Sequence, residues 1–221
     1  MDIVLETAIK YNDIFMAGAK ITIIISFLSC FFGLFLGVIL AFMKISGVKI
    51  LQAVAAVYVE VIRGTPVLVQ ISLVFFGLPF LGIQFPNFEI WGVDFERLSA
   101  GVLALILNSG AYQCEIVRSG IHAIDPGQRE ATKALGMPWH LEMLRIVAPQ
   151  ATKICILPLV NQFIATIKNT SILSAITLTE LTREGTLIAY NSFHYFEPYI
   201  AVAVLYLILT TIFTQIAGVL E

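Results

Sequence analysis

The sequence predicts an all-α integral membrane protein: about five transmembrane helices and two short helices on the cytoplasmic side, N-terminus outside and C-terminus cytoplasmic. Three observations carry this. Of 221 residues, 58% are hydrophobic and only 13% charged, well below the roughly 25% charged residues of soluble domains. The apolar residues gather into runs long enough to cross a bilayer core, about 20 residues each. The polar residues gather as sharply, above all within 125–149. A net charge of −2 is too small to suggest nucleic-acid binding or broad electrostatic steering.

Taken in order, the N-terminal MDIVLETAIKYND mixes acids with bases and lacks a small-residue cleavage site, so no removable signal peptide is expected. The first span runs from about Ile14 to Met43, long enough to tilt. The second covers Leu51 to Leu81, interrupted by Glu60, Arg63 and Pro66, where Gly64-Thr65-Pro66 is placed to break or kink the helix. The third runs from about Leu98 to Val117, the fourth from about Ile154 past Pro158 to Leu178, and the fifth from Tyr199 to Leu220. All 221 residues then form a single transmembrane domain. Basic residues concentrate in the first connection (Lys44, Lys49) and the third (Arg118, Arg129, Lys133, Arg145, Lys153). Acids dominate the second (Glu89, Asp94, Glu96) and the last (Glu180, Glu184, Glu197). Positive residues mark the cytoplasmic side, which sets the orientation and suits an odd number of spans.

The polar island has its own punctuation. Asp125 followed by Pro126 reads as a helix start, a cap acceptor before a residue that needs no donor. A short helix to Leu135 ends at Gly136, where a left-handed turn is expected. Pro138 opens a second helix with Leu141, Leu144, Ile146 and Val147 as its apolar positions, ending before Pro149. Two helices joined at a glycine make a compact knob. Ala131 and Ala134 would let another protein's groove approach closely, with Glu130 as an anchoring charge.

Ionisable groups inside spans cost roughly 2.5–3.5 kcal/mol on insertion scales and normally face a bundle interior or wet cavity. Glu60 and Arg63 are three apart on one helical face and read first as a structural ion pair. Asn108, Tyr112 and Glu115 recur at four- and three-residue spacing, a polar stripe suited to a cavity wall. There Glu115 would hold an ammonium or cationic side chain, or else pair with Arg118. Lys168, beside Asn169 and Thr170, would offer donors to a carboxylate, or else pair with Glu60 or Glu115. Asn161 and Gln162 lie one to two turns earlier and would line the same cavity.

Other residue types point to no chemistry. Cys30, Cys114 and Cys155 lack metal-ligand spacing and read as small buried hydrophobes. His122, His140 and His194 are scattered. Ser109, Ser119 and Ser171 lack a nucleophile-elbow setting, and no paired acids suit hydrolysis. Tyr195, Phe196 and Tyr199 suit an interfacial aromatic belt. No G-x-x-x-x-G-K-[ST] run occurs, so the chain offers no phosphate-cradling loop of its own.

The order Glu130-Ala131-Thr132, Gly136, Ile146, Pro149 resembles the EAA loop of ATP-binding-cassette (ABC) type I importer permeases: E-A-A, three residues, G, nine residues, I-x-L-P. The spacings agree, while Thr132 replaces the third alanine and Ala148 the leucine. Glu60–Pro66, Ala111–Arg118, Leu135–Met137, Pro149–Ala151 and Lys168–Ser171 resemble the polar amino acid (histidine, lysine, arginine, glutamine type) branch in family order.

The resemblance implies a permease subunit of an ATP-driven importer, a transport component rather than an enzyme. ATP and Mg would be bound by a partner ATPase dimer seated on the 125–149 loop, through Glu130, Ala131, Thr132, Ala134, Gly136, Ile146 and Pro149. No cofactor is expected in this chain. A second permease subunit, most simply an identical copy, an extracytoplasmic amino-acid-binding protein and the lipid of a prokaryotic inner or plasma membrane complete the expected partners. The substrate-binding set would be Asn108, Tyr112, Glu115, Asn161, Gln162 and Lys168, and Glu115 inclines the expectation to basic amino acids. The alternatives are an ABC permease for another small solute, a secondary carrier or channel, which would need coupling-ion sites and usually internal repeats, and an intramembrane enzyme, which lacks a catalytic constellation.

Overall fold

The computed structural model describes residues 2–90 and 92–219. Ten α-helical segments, a 3-10 helix over Thr170–Ile176 and one hairpin of two-residue strands follow one another among them. They are α1 (Asp2–Lys10), α2 (Asn12–Ile45), α3 (Lys49–Gly64) and α4 (Val67–Phe80). The hairpin pairs Glu89–Ile90 with Val93–Asp94. Then come α5 (Phe95–His122), α6 (Pro126–Ala134), α7 (Trp139–Glu142), α8 (Ala148–Asn169), α9 (Leu181–Ser192) and α10 (Phe196–Val219). Four of the helical runs are long and apolar enough to cross a membrane, and the bent pair α3–α4 makes five if it counts as one span. The end expected at Leu220 lies outside the described residues.

The organising contact is α2 against α5. Gly33 and Gly37 stand one turn apart on α2. A Cβ at Gly33 would fall 2.9 Å from Ser109 Cβ, and one at Gly37 would fall 2.9 Å from the Cys114 backbone nitrogen. Gly110 returns the favour, seating Leu36 against α5. Lipid tails are as apolar as leucine, so close backbone approach through small residues is what drives such helices together. Cys114 and Cys155 are buried and Cys30 nearly so, all three as free thiols.

The second span is two helices, bent by 109° at Thr65–Pro66. Pro66 has no N–H and holds Thr65 extended (φ −117°, ψ 148°). The break expected from sequence is present, and it is far sharper than a kink.

Two departures concern the last third of the chain. The stretch between 178 and 199, expected as a loop, contains α9. Glu180 is its N-cap: its carboxylate accepts from Thr182 N (2.9 Å), Arg183 N (2.7 Å) and Tyr206 Oη (2.9 Å). Glu180 is fully buried, so it is a packing group and not one of the loop charges it was counted among. Second, α8 does not begin afresh after Pro149. A π turn over Met143–Val147 joins α7 to α8, with Ala148 N–H bonded to Met143 O. Pro149 sits in the first turn of α8, where a missing N–H is tolerated.

Candidate functional site

Two regions carry the polar chemistry: a protrusion at one end of the bundle and a cavity beside α5.

The protrusion is α6, a turn, α7 and the π turn. Asp125 caps α6 through Gly127 N (2.6 Å) with Pro126 at the first helical position. Gly136 is left-handed, φ 65°. Both features follow the sequence. Its interior does not. Glu142, 2% exposed, accepts from Arg129 Nε at 2.9 Å, bridging α6 to α7. Both lie outside the apolar spans, and the hydrogen bond from Arg129 holds the Glu142 carboxyl below its ordinary range, against the opposing effect of burial. Thr132 is buried too, its hydroxyl donating to Arg129 O at 2.8 Å.

The residues of the loop pattern therefore divide. Glu130, Ala131, Ala134, Gly136 and Pro149 are exposed, while Thr132 faces inward and Ile146 is half-buried. Thr132 thus braces the protrusion from within. Of the expected apolar face, Val147 is buried but Leu144 is 70% exposed. The wider π turn rotates the register, so Met143 takes the inward position that a 3.6-residue period assigned to Leu144.

The cavity, about 410 Å³, is lined by Arg63, Tyr112, Glu115, Ser119, Pro158 and Gln162, among others. The Arg63 guanidinium lies over the Tyr112 ring, 5.4 Å from its centroid, a cation–π contact. Glu115 is bound from two sides, by Lys44 Nζ (2.5 Å) and by Arg118 Nη2 (2.8 Å) and Nε (3.0 Å). Three cations and one carboxylate thus stand at or beside the cavity.

The fold separates several of the expected site residues. Glu60 and Arg63 form no ion pair: both are exposed, where pairing gains little, and Arg63 turns to Tyr112 instead. Asn108 lines no part of this cavity. It is 2% exposed and donates Nδ2 to Gln70 Oε1 at 2.9 Å. Asn161 is exposed away from the cavity that Gln162 lines. Lys168 pairs with neither Glu60 nor Glu115. It borders a separate 290 Å³ pocket with Ser171, Thr182, Tyr199 and Tyr206. Tyr112, Glu115 and Gln162 are the expected residues that the fold brings together. Lys44 and Gln70 were missed as participants. Gln70 leaves a signal, a lone amide four residues after Pro66 in an apolar run; by position in the sequence Lys44 is only a loop charge.

A larger cavity of about 440 Å³ lies where Phe42, Trp139, Met143 and Cys155 meet. Its walls are mostly apolar, with His140 and Thr152 as the polar side chains among them.

With this geometry in view, comparison with known proteins is informative. Residues 33–221 match the family described as binding-protein-dependent transport system inner membrane component. The glutamine transport system permease protein GlnP of Escherichia coli (strain K12) is 39% identical over 204 residues, 92% of this chain and 90% of that protein. The arginine transport system permease protein ArtQ of Bacillus subtilis (strain 168) is 36% identical over 221 residues, 100% of this chain and 97% of that one. A solved structure described as an amino acid ABC transporter with histidines superposes with a TM-score of 0.88 at 39% identity, covering 97% and 96% of the two chains. The methionine ABC transporter MetNI in an inward-facing form shares the fold, with a TM-score of 0.76 at 19% identity, over 96% of this chain and 98% of that one. A family match across most of the chain, on a bundle with several membrane-crossing helices, makes this a multi-pass membrane protein that belongs to the binding-protein-dependent transport system inner membrane component family.

Proposed function

We propose that this chain is the permease subunit of an ABC importer for polar amino acids, moved by a separate ATPase. The observation that carries this is the protrusion. Its outward residues, Glu130, Ala131, Ala134 and Gly136, are small or charged and exposed. Its inner side is locked by the Arg129–Glu142 pair and Thr132. A rigid, outward-facing lever is what transmission from a nucleotide motor requires. ATP and Mg belong to that motor, a dimer on the cytoplasmic side. A second permease copy, a binding protein on the far side and an N-out, C-in orientation in a prokaryotic inner or plasma membrane complete the arrangement. Alternating access between two states then needs about 5.5 kcal/mol of differential binding to shift a population from 1:99 to 99:1, drawn from nucleotide and docking protein together.

Cargo sits in the 410 Å³ cavity, its α-carboxylate toward Arg63 and its polar groups toward Tyr112 and Gln162. Glu115, already held by Lys44 and Arg118, has no free charge for a cationic side chain. The inclination to basic cargo loses its footing there, and the surplus positive charge favours an uncharged side chain such as glutamine's. Relatives named for both arginine and glutamine make this the point to measure. Reconstituted with ATPase and binding protein, the chain should take up labelled glutamine only with ATP, and Arg63→Ala should weaken uptake strongly without removing it. Uptake without the ATPase refutes the importer reading. Arginine uptake exceeding glutamine refutes the cargo assignment.

A further inference from the structure

The 109° break creates a problem that the bundle must solve. Where α3 ends at Gly64, its last carbonyls have no helical N–H to accept from, because Pro66 has none and the chain turns away. In a membrane no water is at hand, and each unsatisfied backbone group is costly. Two side chains close this gap: Thr65 Oγ1 donates to Val61 O at 2.8 Å, and Gln70 takes the rest. Gln70 Nε2 lies 2.6 Å from Ile62 O, 3.0 Å from Thr65 O and 2.9 Å from Thr65 Oγ1. Its two N–H groups, carried on α4, therefore reach back across the break to the end of α3. The other end of the amide is occupied as well: Gln70 Oε1 accepts from Asn108 Nδ2 at 2.9 Å. Gln70 is 7% exposed and Asn108 2%, so the Gln70–Asn108 pair is buried, and it anchors a half-buried Ile62 and an exposed Thr65.

Its position gives it a further role. Ile62 precedes Arg63, and Asn108 stands one helical turn before Tyr112 on the same face of α5. The network thus ties the residue beside Arg63 to the turn below Tyr112, the two groups stacked across the cavity. We propose that Gln70 is a positioning residue for transport: its amide clamps the broken helix to α5 through Asn108 and so holds Arg63 over Tyr112 at the cargo cavity. This rests on the cavity being the cargo site.

The test uses the purified permease with its ATPase and binding protein. Gln70→Met keeps the side-chain length and removes every hydrogen bond. Cargo affinity, read by glutamine titration calorimetry on the permease–ATPase complex, should fall about tenfold, the scale of one or two lost hydrogen bonds. ATP hydrolysis at saturating cargo should stay within about twofold of wild type. Asn108→Leu should give a similar loss, and the double variant no more than either alone. Because Gln70 acts through Arg63, its effect should vanish in an Arg63→Ala background. Wild-type affinity in a well-folded Gln70→Met, or an unchanged loss in the Arg63→Ala background, overturns the proposal. If Gln70→Met does not fold, Asn108→Leu takes its place, with the same two refuting outcomes. Spin labels at Val57 and Leu73, both exposed, read the break without cargo. Their distance distribution should broaden in either variant, and an unchanged one refutes the clamp. If Arg63→Ala itself leaves glutamine binding intact, it is the cavity assignment that fails, and the label distances still decide on the clamp.

Discussion

The protrusion and the broken helix solve one problem in opposite ways. Each is a sharp reversal of the chain with polar residues that must be satisfied. At the protrusion, local sequence does most of the work: Asp125 caps, Pro126 starts, Gly136 turns. A single ion pair, Arg129 with Glu142 thirteen residues away, closes the motif within itself. At the break, Thr65–Pro66 makes the bend and the Thr65 hydroxyl takes one carbonyl, but the rest falls to Gln70, held in turn by Asn108 on another helix. The first region stands on short-range chemistry and is exposed for a partner. The second is stable only as part of the bundle, so it can report or set the state of the helices around it.

This difference makes predictions of graded size. The largest effect belongs to the protrusion's outer face. Ala131→Arg should abolish ATP-driven uptake while leaving the permease folded and monodisperse. Binding of the ATPase, followed by co-purification, should be lost with it. Next comes the inner lock. Arg129→Ala leaves the Glu142 carboxylate buried and alone, which costs about 3 kcal/mol. Hydrogen exchange in 126–147 should rise steeply, with α2 and α5 unaffected. Third, acid should loosen the same region. The Glu142 carboxyl is held below its ordinary value of 4.5 in the folded state. Its contribution is therefore complete above about pH 4.5 and declines as pH falls through the lower folded-state value. Protection of 126–147 should drop in that acidic window in wild type and show no such transition in Glu142→Gln. The smallest effect is at Glu60. Exposed and without an ion-pair partner among the described residues, it should tolerate replacement by Gln within about 0.5 kcal/mol, measured by thermal unfolding. A larger loss would show that it has a partner in the assembled importer.

Legibility in the sequence followed the range of the interactions. The spans of α2, α5 and α10 were visible because apolar runs of that length have no alternative in water. The caps of α6 were visible because capping needs only neighbours. The fate of Glu60, Arg63 and Asn108 was not, since three-residue spacing shows that side chains share a helix face and not what faces them. Glu115 shows the same limit. Spacing placed it on a polar stripe with Tyr112, correctly, yet Lys44 from α2 meets it from seventy-one residues away. Gln70 and Glu180 were hidden for a related reason. Each is a lone polar group whose partners are backbone atoms exposed only by a bend or a helix start. The twenty residues before α10 held a warning, for structureless connections of that length are uncommon in compact domains.

Composition and periodicity alone determined that the chain spans a membrane and that 125–149 folds as a capped protrusion, because burial of apolar length and satisfaction of near neighbours are local requirements. Tertiary structure alone decided which buried polar groups meet. In hydrocarbon a donor must take whatever acceptor the packing of Gly33 and Gly37 against α5, and the bend at Pro66, bring within 3 Å, and that choice is made by the bundle as a whole.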